Sequence, residues 1–302
     1  MKRFLSALPG ARLARDLLLR RSPSYRGVRR HPPGHFYSPL LDLERFATHA
    51  EEFLDPNARL WGGVDLCGAK QTALLEEFVN RGLPFALPSE PEAGWRYYSK
   101  NEYFRFGDGF SLASMLQDFR PRRIVEIGSG FSTALTLDVA QRFGLPLQLT
   151  AIEPFPTRLR ELLRTDDTVD IRILEQRVQD VSQTVFDELA ANDLLFIDSS
   201  HVAKVGSDVA EIFLRILPGL QPGVIVHFHD IFFPEAYPEM WLRDGCAWNE
   251  GLFLRAFLQF NRAFEIVLFN AFVAQHARER LEPMLPRFFA HPGGSMYLRR
   301  LE

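Results

Sequence analysis

The side chains best suited to chemistry lie at the ends of short apolar runs downstream of residue 120: Glu126, Glu153, Asp180, Asp198, His201, His229 and Asp230. Glu126 opens the pattern Glu-x-Gly-x-Gly, completed by Gly128 and Gly130, with Ser132 and Thr133 behind it. Residues without a Cβ let the backbone turn sharply and approach a ligand, and Ser132 and Thr133 can cap a following helix. A carboxylate just ahead of such a loop would repel a pyrophosphate, yet it accepts hydrogen bonds from an amine, above all a charged one. A dinucleotide fingerprint also calls for a third glycine where this chain has Thr133. The loop therefore suits a cationic ligand without phosphates. Glu153 falls at the distance past the loop where an acid can accept both hydroxyls of a ribose. Plainer structural uses stand beside these: a tight turn without a ligand, a helix cap at Asp180, and His227 as a core histidine bonded to backbone.

These residues need a scaffold that brings strand ends together. Apolar runs predict strands over 124–127, 147–152, 169–175, 192–198, 224–229, 264–269 and 295–301. Helical patterns lie between them over 110–119, 134–143, 156–163, 184–190, 207–217 and 248–260. Strict alternation of the two predicts an α/β fold, Rossmann-like and doubly wound, with a mostly parallel seven-stranded sheet and an antiparallel edge strand. Pro292-Gly293-Gly294 predicts a hairpin from the sixth strand to the last. Ligands of open α/β sheets sit beyond the carboxyl ends of the strands, where Asp198 with His201, and His229 with Asp230, would stand. The period of two along a strand puts His227 and His229 on one face.

Upstream, residues 31–94 are rich in Pro and Gly with short helical segments, which divides the chain into an irregular helical N-terminal extension, 1–94, and a catalytic domain, 95–302. Residues 83–91 read as a linker. The chain of 302 residues, 46% apolar and 24% charged, has an ordinary globular composition and enough length for a proper core. Its net charge of −3 conceals an asymmetry: residues 1–30 carry nine Lys or Arg against Asp16, a net +8, which leaves −11 for the remainder. An acidic body argues against nucleic-acid binding, while the basic head fits peripheral contact with a membrane surface or an acidic partner. No run reaches transmembrane length. Two distant cysteines, Cys67 and Cys246, form no disulfide framework and fit a reducing, cytoplasmic setting.

The run Phe196-Ile197-Asp198-Ser199-Ser200-His201, with Gly206-Ser207-Asp208, Pro222-Gly223-Val224, His229-Asp230, the Glu126 loop and Glu153, resembles a bacterial class I S-adenosylmethionine-dependent methyltransferase family over residues 95–302. The resemblance implies S-adenosyl-L-methionine as cofactor, with Glu126, Gly128, Ser129, Gly130 and Ser132 at its methionine end. It further implies Glu153 at the ribose, Asp180 against the adenine amino group, and Asp198 among the contacts. Metal-dependent O-methyltransferases of that superfamily place an acid after the fourth strand and an acidic pair after the fifth. The divalent metal set this implies is Asp198, His229 and Asp230, whose imidazole favours a transition metal over Mg2+. A metal-free version makes Asp198 and His201 catalytic, with His201 as general base at a pKa near the operating pH.

The expected reaction is O-methylation of a small-molecule or sugar hydroxyl under an aromatic lid, 231–241, with Trp241, Trp248 and the stretch around Tyr97 shaping the acceptor pocket. Two rival readings are a non-catalytic binding protein that keeps the cofactor fold and an NAD(P)-dependent oxidoreductase. A homo-oligomer is compatible with either.

Overall fold

The computed structural model describes residues 31, 34–54, 61–81, 87–165, 167, 169–234 and 237–302. The basic segment 1–30, with its expected peripheral contact, lies outside the described residues, as does part of the expected linker.

Seven strands, β1 Arg123–Ile127, β2 Gln148–Ile152, β3 Asp170–Leu174, β4 Leu194–Ile197, β5 Ile225–Phe228, β6 Phe264–Phe269 and β7 Met296–Arg300, form one sheet in the order β3-β2-β1-β4-β5-β7-β6. Neighbours from β3 through β5 are parallel. β7 runs antiparallel to both β5 and β6, so it lies one place in from that edge and β6 keeps the parallel direction. β4 and β5 are buried at every position, which is why they read as unbroken apolar runs. The chain leaves β1 toward β3 and returns to β4 on the other side, so strand order reverses between β1 and β4. That reversal opens a crevice at the strands' carboxyl ends, where Glu126 and Asp198 lie.

The expected hairpin into β7 is absent. Helices Asn270–His276, Arg278–Leu281 and Pro286–Ala290 intervene, and the glycines serve close approach rather than a two-residue turn. A Cβ on Gly293, at φ +75°, would lie 2.1 Å from Asp108 Oδ2; one on Gly294 would lie 2.8 Å from Asp230 Cα. Ile231 N–H donates to the Gly294 carbonyl at 2.8 Å, fastening this loop to the end of β5.

Before β1, helix Phe106–Phe119 packs against helix Phe131–Phe143. The segment leading into it is anchored by buried Arg96, whose guanidinium pairs with Asp138 at 2.7 Å and with Asp167. Asp138 also accepts the backbone N–H groups of Arg96 and Tyr97 at 2.8 and 3.0 Å. Tyr97 is fully buried and its hydroxyl faces the carbonyls of Phe104 and Arg105, each at 3.0 Å, so it belongs to the core rather than to an acceptor pocket.

Contacts divide the chain into two compact units, residues 55–238 with 248–302, and residues 1–54 with 239–247. The first holds the whole sheet and also the helix Gly68–Asn80, where Gln71 accepts the N–H of Phe269 at the end of β6 at 2.6 Å. In the second, Asp42 caps the helix Leu43–Thr48 through the Arg45 N–H at 3.0 Å, and the Arg243 guanidinium lies 5.5 Å above the Phe46 ring. Among the described residues no helix is long and apolar enough to cross a membrane.

Candidate active site

The loop after β1 is held from beneath by its own acid. Glu126 is 2% exposed and accepts the Ser132 hydroxyl at 2.5 Å on one oxygen and the Thr133 hydroxyl at 2.6 Å on the other. Thr133 Oγ1 in turn accepts the Gly130 N–H at 3.1 Å, so one threonine closes the turn where a dinucleotide fold would use glycine. Burial pushes the Glu126 carboxyl up to about 7, against the lowering effect of those two hydroxyls. Gly128 has φ +78°, and a Cβ there would meet the Asp198 carbonyl at 2.3 Å. Only glycine lets the loop lie this close to the end of β4. The Ser129 hydroxyl is shut off from solvent with no hydrogen-bond partner.

A charged cluster forms where β4 and β5 end. Asp198, its side chain 43% exposed, has His201 Nε2 at 3.5 Å and His229 Nδ1 at 3.6 Å. Asp230 lies 3.7 Å from each of the same two imidazoles. Both His201 and Asp230 have left-handed backbone, φ +59° and +58°, which turns the chain sharply as it leaves each strand. His201 Nδ1 pairs with Glu250 Oε2 at 2.9 Å, and the ring sits 4.6 Å from that of Trp248. Buried Asp108 lies under His229 at 3.8 Å while accepting Gly294 N–H and the Ser295 hydroxyl at 2.9 and 2.7 Å.

The electrostatics follow from this crowding. Desolvation opposes a charged His201, but hydrogen bonding and attraction from Asp198 and Glu250 outweigh it and lift its pKa to about 10. His229 is likewise raised well above its ordinary value despite burial, by Asp230 and Asp198. Burial also works against Asp198, yet the imidazoles hold its carboxyl well below the usual range. Burial raises Asp230. His227, one pleat deeper, is held neutral by desolvation and by the charge of His229.

The expected residues therefore meet in part. Asp198, His201, His229 and Asp230 come together around one point, and His227 and His229 share a face with ring centroids 6.1 Å apart. His227 is not bonded to backbone: neither ring nitrogen has a partner, and the ring stacks on Phe196 at 4.1 Å. His201 is an imidazolium at neutral pH in this arrangement, not a base poised near it. Asp198, His229 and Asp230 meet as ion pairs, and no group of three or more His, Cys, Asp or Glu among the described residues is arranged to hold a metal ion. Glu153 is half-buried at the end of β2 and accepts the Phe155 N–H at 2.8 Å. Asp180 is exposed and faces the Arg177 guanidinium at 2.8 and 3.0 Å rather than capping a helix. The expected lid is tied down at Pro234, whose carbonyl accepts from Arg255 at 2.7 Å and Trp61 at 3.2 Å. Trp241 falls in the unit that contains residues 239–247.

Sequence reasoning missed Glu250, read there as one residue of an ordinary helix. Its signal was an acid in the first turn of an otherwise apolar segment, Gly251-Leu252-Phe253-Leu254.

The sequence model of a family described as "Methyltransferase domain" matches residues 125–231, the span from the glycine loop to the turn after Asp230. An uncharacterized protein of the archaeon Archaeoglobus fulgidus is 32% identical over 169 residues, which cover 53% of this chain and 74% of the relative. By the matched span 125–231 the chain belongs to the methyltransferase-domain family. Among solved structures, this methyltransferase is similar to the one titled "CmcI-N160 apo-structure", at 18% identity, a TM-score of 0.44, and coverage of 76% of this chain and 95% of the other. It is also similar to the O-methyltransferase TomG from Streptomyces achromogenes, solved with S-adenosylmethionine, at 15% identity, a TM-score of 0.41, and coverage of 87% and 100%. The methyltransferase's family assignment rests on the matched span, not on these distant structural likenesses.

Proposed function

We propose that the chain transfers a methyl group from S-adenosyl-L-methionine to a hydroxyl of a small-molecule or sugar acceptor, in a cytoplasmic setting, with catalysis carried by residues 95–302. The observation behind this reading is the contact of the glycine loop with the end of β4. Gly128 backs onto the Asp198 carbonyl, so a ligand seated on the loop ends beside the carboxylate and imidazole cluster. The unpartnered Ser129 hydroxyl in the loop fits a ligand there.

In this reading Glu126, Gly128, Ser129, Gly130 and Ser132 hold the methionine end, Glu153 the ribose and Asp180 the adenine amino group. The bound cofactor supplies a methyl group already activated by a sulfonium charge. Asp198, ionised and open to the crevice, receives and orients the acceptor hydroxyl. His201 accepts the proton at Nε2 in the fraction of molecules where that nitrogen is free, while Glu250 holds the ring through Nδ1. Because its neighbours lift this pKa to about 10, the rate climbs with pH between 7 and 9.

Titration calorimetry with S-adenosylmethionine and S-adenosylhomocysteine tests the first half of the proposal. Transfer of labelled methyl to a panel of hydroxylated acceptors, with and without a chelator, tests the second. Absence of heat with both ligands overturns the reading, and binding without transfer to any acceptor favours a non-catalytic binder instead.

A further inference from the structure

Beside the glycine loop stands a cation with no counter-ion among the described residues. The segment after β2 folds back so that Arg158 Cδ and Nη1 come within 3.4 and 3.8 Å of where a Cβ would sit on Gly130. Its guanidinium lies 3.9 Å over the Tyr103 ring. That ring is itself stacked with Phe131, the first residue of the helix that follows the loop, at 6.3 Å and 14°, and Tyr98 meets Phe131 edge-on at 5.2 Å. Arg158 thus rests on an aromatic platform at the loop's rim. By contrast, Arg160, two residues on, pairs with Glu175, and Arg177 pairs with Asp180. Among the described residues no carboxylate lies within ion-pair distance of Arg158, and Glu153, the acid on the same segment, is turned to the Phe155 N–H. The Ser129 hydroxyl, shut off and unpartnered in the loop itself, is a second donor in want of an acceptor.

The methionine end of the proposed cofactor is a zwitterion, and the loop's floor provides for only half of it. Glu126 offers negative charge to the ammonium; among the described residues nothing beneath the loop offers a cation to the carboxylate. We infer that Arg158, braced on Tyr103 and joined by the Ser129 hydroxyl, binds the α-carboxylate of the cofactor's amino-acid end. A guanidinium presents a planar fork of donors matched to a carboxylate, and stacking on an aromatic face pre-orients it at little entropic cost. The loop would thereby read both charges of the amino acid, one from below and one from its rim. This inference rests on the proposed cofactor, so its test separates the two.

S-adenosylhomocysteine carries the amino-acid end, whereas 5′-methylthioadenosine has the same adenosine and sulfur without it. Calorimetry with both ligands is run on the wild type and on Arg158→Ala, Arg158→Lys and Tyr103→Ala. Arg158→Ala should weaken S-adenosylhomocysteine by on the order of tenfold to a hundredfold and leave methylthioadenosine within about twofold. Arg158→Lys should recover part of the loss, and Tyr103→Ala should weaken S-adenosylhomocysteine by about threefold to tenfold. An equal loss for both ligands, or no loss for either, overturns the carboxylate assignment while leaving the cofactor standing. A wild type that binds neither ligand overturns the proposed function, and this inference with it.

Discussion

Glu250 Oε2 lies 2.9 Å from His201 Nδ1, and the other oxygen of the same carboxylate accepts the Ser199 hydroxyl at 2.9 Å. The acid is 1% exposed, and its own N–H and that of Asn249 donate to the His201 carbonyl at 3.1 and 3.0 Å. Helix Glu250–Leu258 is thus clamped to the turn after β4 through both backbone and side chain. The ring is held with Nδ1 as the donor, which directs Nε2 toward Asp198 and Asp230.

Glu250→Gln keeps a hydrogen-bonding side chain at Nδ1 but removes its charge. The His201 pKa should fall from about 10 toward its ordinary 6.5, and the rising limb of the pH–rate profile should move down with it. Histidine titration by NMR checks the first, and steady-state turnover checks the second. A histidine that titrates as in the wild type would show that Glu250 merely fills space.

His201 also links stability to pH. Its folded pKa, about 10, lies above the unfolded 6.5, so its contribution is fully present below pH 6.5 and is lost as pH rises through 10. The wild-type melting temperature should decline between pH 7 and 10, and His201→Gln should remove that part of the slope. Parallel slopes in the two proteins would refute the assignment.

Glu126 moves the same way for a different reason. Burial raises this carboxyl from 4.5 to about 7, so its contribution to stability is present below pH 4.5 and is lost as pH rises through 7. In the unliganded protein, Glu126→Gln should gain melting temperature relative to the wild type on going from pH 5 to pH 8. Wild-type affinity for S-adenosylhomocysteine should rise over that range as the carboxylate forms to meet the ammonium. The variant should bind about tenfold more weakly at pH 8 and without the pH dependence. Calorimetry across the range decides.

Gly128→Ala forces a Cβ to within 2.3 Å of the Asp198 carbonyl at a φ of +78°. Strain and backbone displacement together should cost about 3 kcal/mol, read from urea unfolding, and S-adenosylhomocysteine binding should be lost. Gly144→Ala, whose Cβ would meet nothing within 4 Å, is the control at another left-handed glycine.

Arg96→Met should cost about 3–5 kcal/mol by the same measurement, because it leaves Asp138 buried without its counter-ion. Losses below 1 kcal/mol would mean that the backbone N–H groups of Arg96 and Tyr97 suffice to hold that carboxylate.

Much of this was legible in the residues, because the strongest signals were local. Buried parallel strands betray themselves as apolar runs, and Glu126, Gly128 and Asp198 had to stand at strand ends once those runs were placed. Two features resisted. Glu250 acts across 49 residues of sequence, and no period or motif links an acid in one helix to a histidine in a distant turn. The helices between β6 and β7 were hidden because Pro292-Gly293-Gly294 carries the composition of a hairpin, while its actual use is to slip backbone past Asp108 and Asp230. The charge state of His201 was likewise invisible, since it depends on two carboxylates drawn from separate segments, Asp198 and Glu250.

The threading of β7 between β5 and β6 bears on the order of events at the ribosome. Every acidic and imidazole group of the cluster precedes residue 292, yet Asp108 accepts from Gly294 and Ser295, and Ile231, next to Asp230, donates to Gly294. A nascent chain halted short of that point would hold all its reactive groups with an open gap in the sheet between two finished strands. The sheet and the floor of the site are therefore completed only when β7 enters the place framed for it by β5 and β6.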